Sequence, residues 1–427
     1  MTNIGIICPP VPSHINSATA IGRELKKRGH RIILLGIPDI EAKVRSEEIE
    51  FYPIGQSDHP LGSLNKSLSE LGKLNGLSAL RFIIMAAKKT TQMICRDAPQ
   101  AIKSLRIQAL IVDQTEPAGG TVADHLDIPF ITFCSALPTN QVSTIPPFFT
   151  DWDYQTTWKS RVRNKLGYSL FNWLSRPIIK TLNKKRAEWM LPLYRTLNDS
   201  YSQLAQISQL TENFDFPFDE KPNFFHYTGP FRLLSSDTVS FPYEKLTGQP
   251  LVYASLGTLH NLKQEIFRCI AHACENIDVQ LIISLGGGGD DMKNYQDFPG
   301  RPLIVKFAPQ QELLTRVKLV ITHAGLNTVL ESLSQGVPMV ALPITGDQPG
   351  VASRVSWSGT GETLDVKRLT SSRLEKTIQK VLTDDSYFKN AQKIKKSIQT
   401  LNGAVESANI IEQVIKTRQP ALFKKTK

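Results

Sequence analysis

Two polar residues in the first part of the chain have the types that general base catalysis requires. His14 lies in the loop after a short apolar run at residues 3–8, and Asp113 ends the apolar run ALIVD at 109–113. A neutral imidazole accepts a proton near physiological pH, and a carboxylate on its other nitrogen orients the ring and stabilises the imidazolium. His14 and Asp113 are therefore a candidate base and its partner. The alternative is that each side chain only caps the helix that follows it.

A second set of polar and small residues follows two apolar runs in the second half. These runs are LVYAS at 251–255 and KLVIT at 318–322. The residues at their ends are Ser255, Gly257, Thr258, His323, Gly325, Asn327, Thr328 and Glu331. Gly325 allows a tight turn, the asparagine and threonine after it can cap the next helix, and Glu331 lies one turn further on. A helix N-terminus binds phosphate and a carboxylate binds ribose hydroxyls, so the pattern favours a nucleoside diphosphate site.

Both candidate sites require strands whose carboxyl ends meet at one edge of a parallel sheet. The first 36 residues are predicted to form strand, helix and strand, and similar apolar runs recur from residue 251 onwards. We therefore predict an α/β protein with two doubly wound, Rossmann-like domains facing each other across a cleft. The predicted division is an N-terminal domain at 1–230, a linker at 231–250, a C-terminal domain at 251–400, and a C-terminal helix with a basic, frayed tail at 401–427.

Composition excludes several classes of protein. Hydrophobic residues make up 41% of the 427 residues and charged residues 21%, which excludes disorder as the main state. No apolar stretch approaches the ~18 residues of a spanning helix, and the N-terminus lacks a secretory signal. Five cysteines without metal spacing then predict a cytoplasmic protein with no metal site. The acids of DWD (151–153) and DFPFD (215–219) are interpreted as solvated loop residues.

The second-half motif also carries a family resemblance. The segment FAPQQELLTRVKLVITHAGLNTVLESLSQGVPMVALPITGDQ (307–348) resembles the nucleotide-sugar signature of the UDP-dependent, family-one glycosyltransferases, which have the GT-B architecture. Residues 113–149, together with PPVPSH, resemble the carotenoid branch of that family, the zeaxanthin glucosyltransferases. The resemblance implies inverting transfer of glucose from a UDP-sugar to a hydroxyl of an apolar acceptor such as a xanthophyll, without a cofactor.

Other functions remain open from the sequence. The same chemistry could act on a macrolide, a polyphenol or a peptide natural product. A GT-B epimerase, or a non-catalytic protein that binds membrane or nucleic acid, is a further alternative. No nucleic-acid-binding motif is present, so we expect no nucleic acid partner.

The resemblance implies a role for each candidate residue. His14 would be the base and Asp113 its partner. The donor site would comprise Ser255, Gly257, Thr258, Phe307, Ala308, Gln310, His323, Gly325, Asn327, Thr328, Glu331, Asp347 and Gln348. Phe307 would stack on the uracil, and the Ala308 backbone would bond the edge of the base. The residues implied to hold the diphosphate are Ser255, His323, Asn327 and Thr328. Those implied to hold the ribose and the sugar hydroxyls are Glu331 and Asp347 with Gln348.

Two positions depart from the family pattern. Phe307 replaces the tryptophan of plant members, which leaves a smaller stacking face. Ser13 replaces a glycine found in many members.

The positive charge is concentrated in one segment. The net charge is +11, and residues 154–187 contain nine Lys or Arg and no acid. Aromatic residues are interleaved with these cations through residues 152–194, namely Trp152, Trp158, Phe171, Trp173, Trp189 and Tyr194. Basic residues with interfacial aromatics on amphipathic helices predict peripheral contact with an anionic membrane. The alternative is that the aromatics line the acceptor cleft or the core and the cations are only solvated.

Overall fold

The chain folds into two parallel β-sheets, each covered by helices on both faces. The computed structural model describes residues 1–72, 74, 76–218, 220–231, 239–257, 264–287, 295 and 297–423. Within these residues every strand pair is parallel. The prediction of two doubly wound α/β domains facing across a cleft is confirmed. None of the described helices carries an apolar stretch that could cross a bilayer.

The first sheet has the strand order β3-β2-β1-β4-β5-β6-β7. Its strands are β1 (Asn3–Ile7), β2 (Arg31–Gly36), β3 (Glu50–Pro53), β4 (Ala109–Asp113), β5 (Phe130–Cys134), β6 (Gln206–Ser208) and β7 (Phe225–Tyr227). Its helices are α1 (Pro12–Lys27), α2 (Glu41–Ser46), α3 (Ser63–Gly72), α4 (Gly76–Ser104), α5 (Pro117–Leu126) and α6 (Trp158–Glu188). All five residues of β4 are buried, as expected for a central strand covered on both faces.

The second sheet has the strand order β10-β9-β8-β11-β12-β13. Its strands are β8 (Leu251–Ser255), β9 (Gln280–Ser284), β10 (Leu303–Val305), β11 (Val317–Thr322), β12 (Met339–Ala341) and β13 (Gly361–Thr363). The helices of this half are α7 (Gln264–Cys274), α8 (Gln310–Leu314), α9 (Leu326–Gln335), α10 (Gln348–Trp357), α11 (Ser371–Thr383) and α12 (Asp385–Gln399). Residues 232–238 of the predicted linker lie outside the described residues.

The last helix, α13 (Gly403–Thr417), returns to the first half and packs on α1. Its buried residues Ile411 and Val414 belong to the core cluster of the first sheet. The prediction of a frayed tail is wrong up to residue 423, because Ala421 is only 1% exposed. The Ala421 carbonyl also accepts a hydrogen bond from His226 Nε2 at 2.8 Å. The buried Ala421 therefore anchors this basic tail to the first half.

A buried ion pair joins the two halves. Arg354 of α10 donates to Asp215 Oδ1 at 2.7 Å, and Tyr227 donates to Asp215 Oδ2 at 2.8 Å. Both side chains of the ion pair are at most 4% exposed. The interpretation of DFPFD as solvated acids is therefore wrong for Asp215. The sequence could not show this, because the partner arginine lies 139 residues further along the chain. Asp219 lies outside the described residues.

Candidate active site

The first half brings His14 and Asp113 into direct contact. Strands β1 and β4 are neighbours, with Ile7 opposite Val112, so the loop after β1 lies beside the end of β4. His14 is in the first turn of α1, which Pro12 begins. Its Nδ1 lies 2.9 Å from Asp113 Oδ2. This contact engages Nδ1 and leaves Nε2 as the nitrogen that can accept a proton.

Neither side chain caps a helix. The residue before α1 is Val11, and the residue before α5 is Glu116, both without a side-chain capping bond. Asp113 Oδ1 instead accepts hydrogen bonds from the backbone N–H and the hydroxyl of Thr115, at 2.9 and 2.6 Å. The geometry therefore favours the paired arrangement over the capping alternative.

The electrostatics of the pair favour its ionised form. Burial lowers the pKa of His14, but the charge and hydrogen bond of Asp113 outweigh burial, so this pKa lies above its usual value. Burial raises the pKa of Asp113, yet the charge and hydrogen bond of His14, with hydrogen bonds from Ser135 and Thr115, hold it below its usual value. The carboxylate thus strengthens His14 as a base and stabilises the imidazolium.

Two further residues surround the pair and were not singled out from the sequence. Ser135 Oγ lies 2.5 Å from Asp113 Oδ2 and 2.6 Å from His14 Nδ1. Glu116 is only 7% exposed, and burial, together with the charge of Asp113, raises its pKa to about 8. Glu116 is therefore mainly protonated at neutral pH and leaves Asp113 as the charged partner. Ser135 follows the predicted strand PFITFC, so its place at a strand end was a usable signal.

The second half places His323 between two glycines. Strands β8 and β11 are neighbours, with Ser255 opposite Thr322, so the residues after both strands meet. A Cβ at Gly257 would lie 2.7 Å from His323 Cε1, and a Cβ at Gly325 would lie 2.6 Å from His323 Nε2. A side chain at either position would therefore displace the His323 ring, and the φ of +71° at Gly257 favours glycine as well. Thr258 lies outside the described residues.

The first turn of α9 faces the first half of the chain. Its N-cap residue is Gly325, which supplies no side-chain capping bond, so the prediction that Asn327 and Thr328 cap this helix is wrong. Asn327 Oδ1 instead accepts from Gln209 Nε2 at 2.9 Å, and Asn327 Nδ2 lies 3.5 Å from the carbonyl of Ser13. Asn327, which is implied to hold diphosphate, is therefore next to the first turn of α1, which carries the candidate base.

Gln209 links the two candidate sites and was not found from the sequence. Its side chain is 3% exposed, and its Nε2 donates to the carbonyl of Ser135 as well as to Asn327. Ser135 in turn contacts His14 and Asp113. One amide thus connects the first turn of α9 to the residues around the base.

The residues implied to bind the nucleoside include a short hydrogen-bond chain. Tyr253 donates to Gln310 Oε1 at 3.1 Å, and Gln310 Nε2 donates to Glu331 Oε2 at 2.6 Å. The Phe307 side chain is 48% exposed. A Cβ at Gly287, whose φ is +89°, would lie 2.6 Å from the Phe307 ring. The glycine lets the ring lie against the backbone on one side, and Ala308 follows directly.

Asp347, one of the two residues implied to bind the transferred sugar, lies where the two halves touch. Asp347 Oδ2 accepts from the backbone N–H of Leu137 at 3.1 Å, and burial raises the pKa of Asp347. Gln348 begins α10, and its Oε1 accepts from the backbone N–H groups of Ile344 and Thr345 at 2.8 and 2.9 Å. Asp347 is therefore tied to the first half, and Gln348 is held by the loop that precedes α10.

The basic aromatic segment is one long helix, α6, with its flanking residues. Trp158 and Trp173 are exposed, whereas Tyr194 is buried and Trp189 stacks on His125. Trp152 lies under the Arg163 guanidinium, and Phe171 packs on Phe148 and Phe149. Arg186 is 3% exposed and paired with Asp124 at 2.7 Å, because it is part of the packing between α5 and α6. The segment therefore divides into a packed part and an exposed part.

Comparison with known proteins identifies the family. The family described as "UDP-glucoronosyl and UDP-glucosyl transferase" matches residues 6–400. The chain is 36% identical to a zeaxanthin glucosyltransferase of Pantoea ananas over 99% of this chain and 98% of that protein. It is 30% identical to a zeaxanthin glucosyltransferase of Pseudescherichia vulneris over 97% of this chain and 98% of that protein.

A solved structure shows the same fold. The calicheamicin glycosyltransferase CalG4 superposes with a TM-score of 0.75, covering 98% of this chain and 100% of that chain, at 17% identity. The kitacinnamycin glycosyltransferase gives a TM-score of 0.73 at 18% identity, covering 96% of this chain and 98% of that chain. Three observations support one assignment. The chain has two parallel-sheet domains, the family matches residues 6–400, and the relatives are of nearly equal length. The chain belongs to the UDP-glucuronosyl and UDP-glucosyl transferase family and is a glycosyltransferase.

Proposed function

We propose that this glycosyltransferase moves glucose from UDP-glucose to a hydroxyl of an apolar acceptor such as a xanthophyll, with inversion at the anomeric carbon. One observation carries the mechanism: the His14–Asp113 pair lies beside the first turn of α9, with Ser13 and Asn327 3.5 Å apart. A base and a diphosphate-binding turn on opposite sides of one cleft suit a direct displacement. The names of the two zeaxanthin glucosyltransferases support the choice of acceptor.

The reaction then takes place in a single displacement. His14 Nε2 accepts the proton of the acceptor hydroxyl as its oxygen attacks the anomeric carbon. The bond from that carbon to the diphosphate oxygen breaks, and its electron pair leaves on UDP. Asp113 stabilises the resulting imidazolium through Nδ1, and the N–H groups of the first turn of α9 offset the charge that develops on the diphosphate. No step requires a metal, so we expect turnover to persist in the presence of a chelator.

The Glu331 carboxylate is expected to bind the ribose hydroxyls and Gln348 the sugar. Replacing Glu331 by alanine should weaken binding of UDP and UDP-glucose alike, by roughly 1.5–3 kcal/mol, because charge-assisted hydrogen bonds are lost from both. Replacing Gln348 by alanine should weaken binding of UDP-glucose and spare UDP. Titration calorimetry with both ligands tests the assignment. Equal weakening of UDP by both substitutions would show that Gln348 does not act on the sugar.

The experiment that tests the proposed function is a product analysis. The purified protein is incubated with a mixture of UDP-sugars and with hydroxylated acceptors that include a xanthophyll, a macrolide and a polyphenol. Mass spectrometry should show a hexose added to the xanthophyll, and NMR should show a β-glucoside, since UDP-glucose carries an α-linked glucose. Preferred glycosylation of the macrolide or the polyphenol would show that the acceptor is not a xanthophyll. An α-linked product would refute inversion.

We also propose that the protein contacts an anionic membrane peripherally, since a xanthophyll dissolves in a bilayer. The exposed apolar residues of α6 are Trp158, Val162, Leu166, Leu170 and Trp173, which we call the α6 stripe. Spacings of three and four place them on one face of the helix. The residues that precede α6 touch the cleft, because the Trp152 carbonyl accepts from Ser353 of α10 at 2.9 Å. The α6 stripe therefore begins six residues after a contact between the two halves.

The tryptophans of the α6 stripe should supply apolar insertion. Replacing Trp158 and Trp173 together by alanine should lower binding to anionic vesicles roughly tenfold or more, because the buried aromatic area is lost. Co-sedimentation with vesicles measures the effect. Phe388→Ala is the matched control, since Phe388 is 52% exposed on α12 in the other half of the chain. Equal losses in both variants would exclude a specific role for the stripe.

A further inference from the structure

A cavity lined by cations lies between α4 and α6, away from the candidate active site. Its volume is about 370 Å³. The charged residues that line it are Lys88, Arg176, Lys180 and Lys184, and its other polar lining residues are Gln92 and Thr181. No Asp or Glu lines it. Arg176, Lys180 and Lys184 are exposed and Lys88 is half-buried, so an anion could reach all four and would offset their mutual repulsion.

Among the described residues these four cations form no ion pair, although Lys184 interacts electrostatically with Glu188 one helical turn away. Lys185 pairs with Glu188 at 2.8 Å, and Arg186 pairs with Asp124 at 2.7 Å. In the part of the chain that the structure describes, no ion pair involves any cation of the cavity. Arg176, Lys180 and Lys184 follow each other at intervals of four residues and so lie on one face of α6. Like charges at this spacing disfavour a helix slightly, and an anionic ligand bound on this face would offset that cost.

The shape of the surrounding surface narrows the chemistry of that ligand. At 100° per residue, the cations at 176, 180 and 184 continue the same face of α6 that carries the α6 stripe. The neighbouring helix α4 repeats the pattern, with Met85, 54% exposed, one turn before Lys88. Apolar side chains followed by unpaired cations on adjacent helices match an amphiphile, with an acyl region beside a phosphate.

We infer that this cavity binds the phosphodiester headgroup of an anionic phospholipid. The headgroup phosphate lies among Lys88, Arg176, Lys180 and Lys184, while the α6 stripe contacts the acyl region. The inference rests on the proposed membrane contact and deepens it. It assigns a defined binding site for one headgroup, instead of a general attraction between positive charge and the anionic surface. A diffuse charge would attract the protein to any anionic surface in proportion to net charge, whereas a headgroup site depends on these residues.

The test compares two triple variants of the full chain with equal loss of charge. The cavity variant is Lys88→Gln, Arg176→Gln and Lys180→Gln. The control variant is Lys159→Gln, Arg161→Gln and Lys165→Gln, which removes exposed cations of the same helix that do not line the cavity. Co-sedimentation uses phosphatidylcholine vesicles with graded phosphatidylglycerol content. The cavity variant should lose affinity roughly 100-fold, while the control variant should lose roughly tenfold or less. Equal losses in both variants would overturn the headgroup site in favour of diffuse charge.

Two further measurements separate the possible failures. Inorganic phosphate and glycerol phosphate are titrated against the wild type; tight binding of either, without vesicle binding, would overturn the lipid assignment in favour of a soluble phosphate ligand. Glucosyl transfer to a water-soluble hydroxylated acceptor should be the same in both triple variants and the wild type. Normal transfer with no difference in vesicle binding refutes this inference alone, whereas no transfer by the wild type to any acceptor refutes the proposed function.

Discussion

Replacing His14 by alanine is expected to lower kcat for glucosyl transfer roughly 10²–10⁴-fold, the range that proton abstraction by a positioned base contributes. Affinity for UDP should change little, because the His14 side chain contacts Asp113 and Ser135, which are both in the first half of the chain. The effect should therefore appear in kcat rather than in donor binding.

The measurement is steady-state kinetics together with calorimetry of UDP. His272→Ala is the matched control, because His272 is an exposed histidine of α7 whose Nδ1 lies 3.5 Å from Glu275 Oε2, in the other half of the chain from His14. We expect wild-type kinetics for this control. Wild-type turnover by the His14 variant on a hydroxyl acceptor would exclude His14 as the base.

Replacing Asp113 by asparagine is expected to cost a similar factor, roughly 10²–10⁴-fold in kcat, with the imidazole present but misoriented. The pH profile gives a second readout. Only neutral His14 accepts a proton, so activity falls as pH drops through its pKa. Asp113 holds that pKa above its usual value against the effect of burial. The substitution removes this effect and should move the acidic limb of the profile to lower pH.

The control for this variant is Asp127→Asn. Asp127 is exposed at the C-terminal end of α5, in a left-handed conformation that asparagine tolerates well. The control makes the same aspartate-to-asparagine change at the far end of α5, whereas Asp113 precedes the start of that helix. An acidic limb that stays in place in the Asp113 variant, despite a lower rate, would mean that the group titrating in the profile is not His14.

The strand ends of both sheets could be predicted from sequence because their strands are continuous apolar runs. ALIVD predicts a central strand, and a central parallel strand must end at the same edge as its neighbours. His14, Asp113, Ser255 and His323 follow from that rule. Gln209 does not, because it follows β6, which has only three residues, Gln206–Ser208, and no apolar run.

The pairing of charged residues could not be predicted. The run KKR at 184–186 looks uniform in the sequence, yet Lys184 lines the cavity, Lys185 pairs with Glu188 and Arg186 is buried against Asp124. These differences depend on which helix lies opposite each side chain. The burial of Asp215 could not be predicted either, since its partner Arg354 belongs to the other half of the molecule. Long-range packing, rather than local composition, decides which charges are buried.

The return of α13 to the first half affects the order in which this protein can form during synthesis. The cluster that contains β1, β2 and α1 also contains Ile411 and Val414, so it is incomplete when residues 1–230 leave the ribosome. The second half, β8 to α12, is made before the missing helix. At about 5–20 residues per second this delay is roughly 10–40 s. The first half is therefore synthesised first but completes its core last. In the interval, the apolar surface that α13 covers is accessible to chaperones.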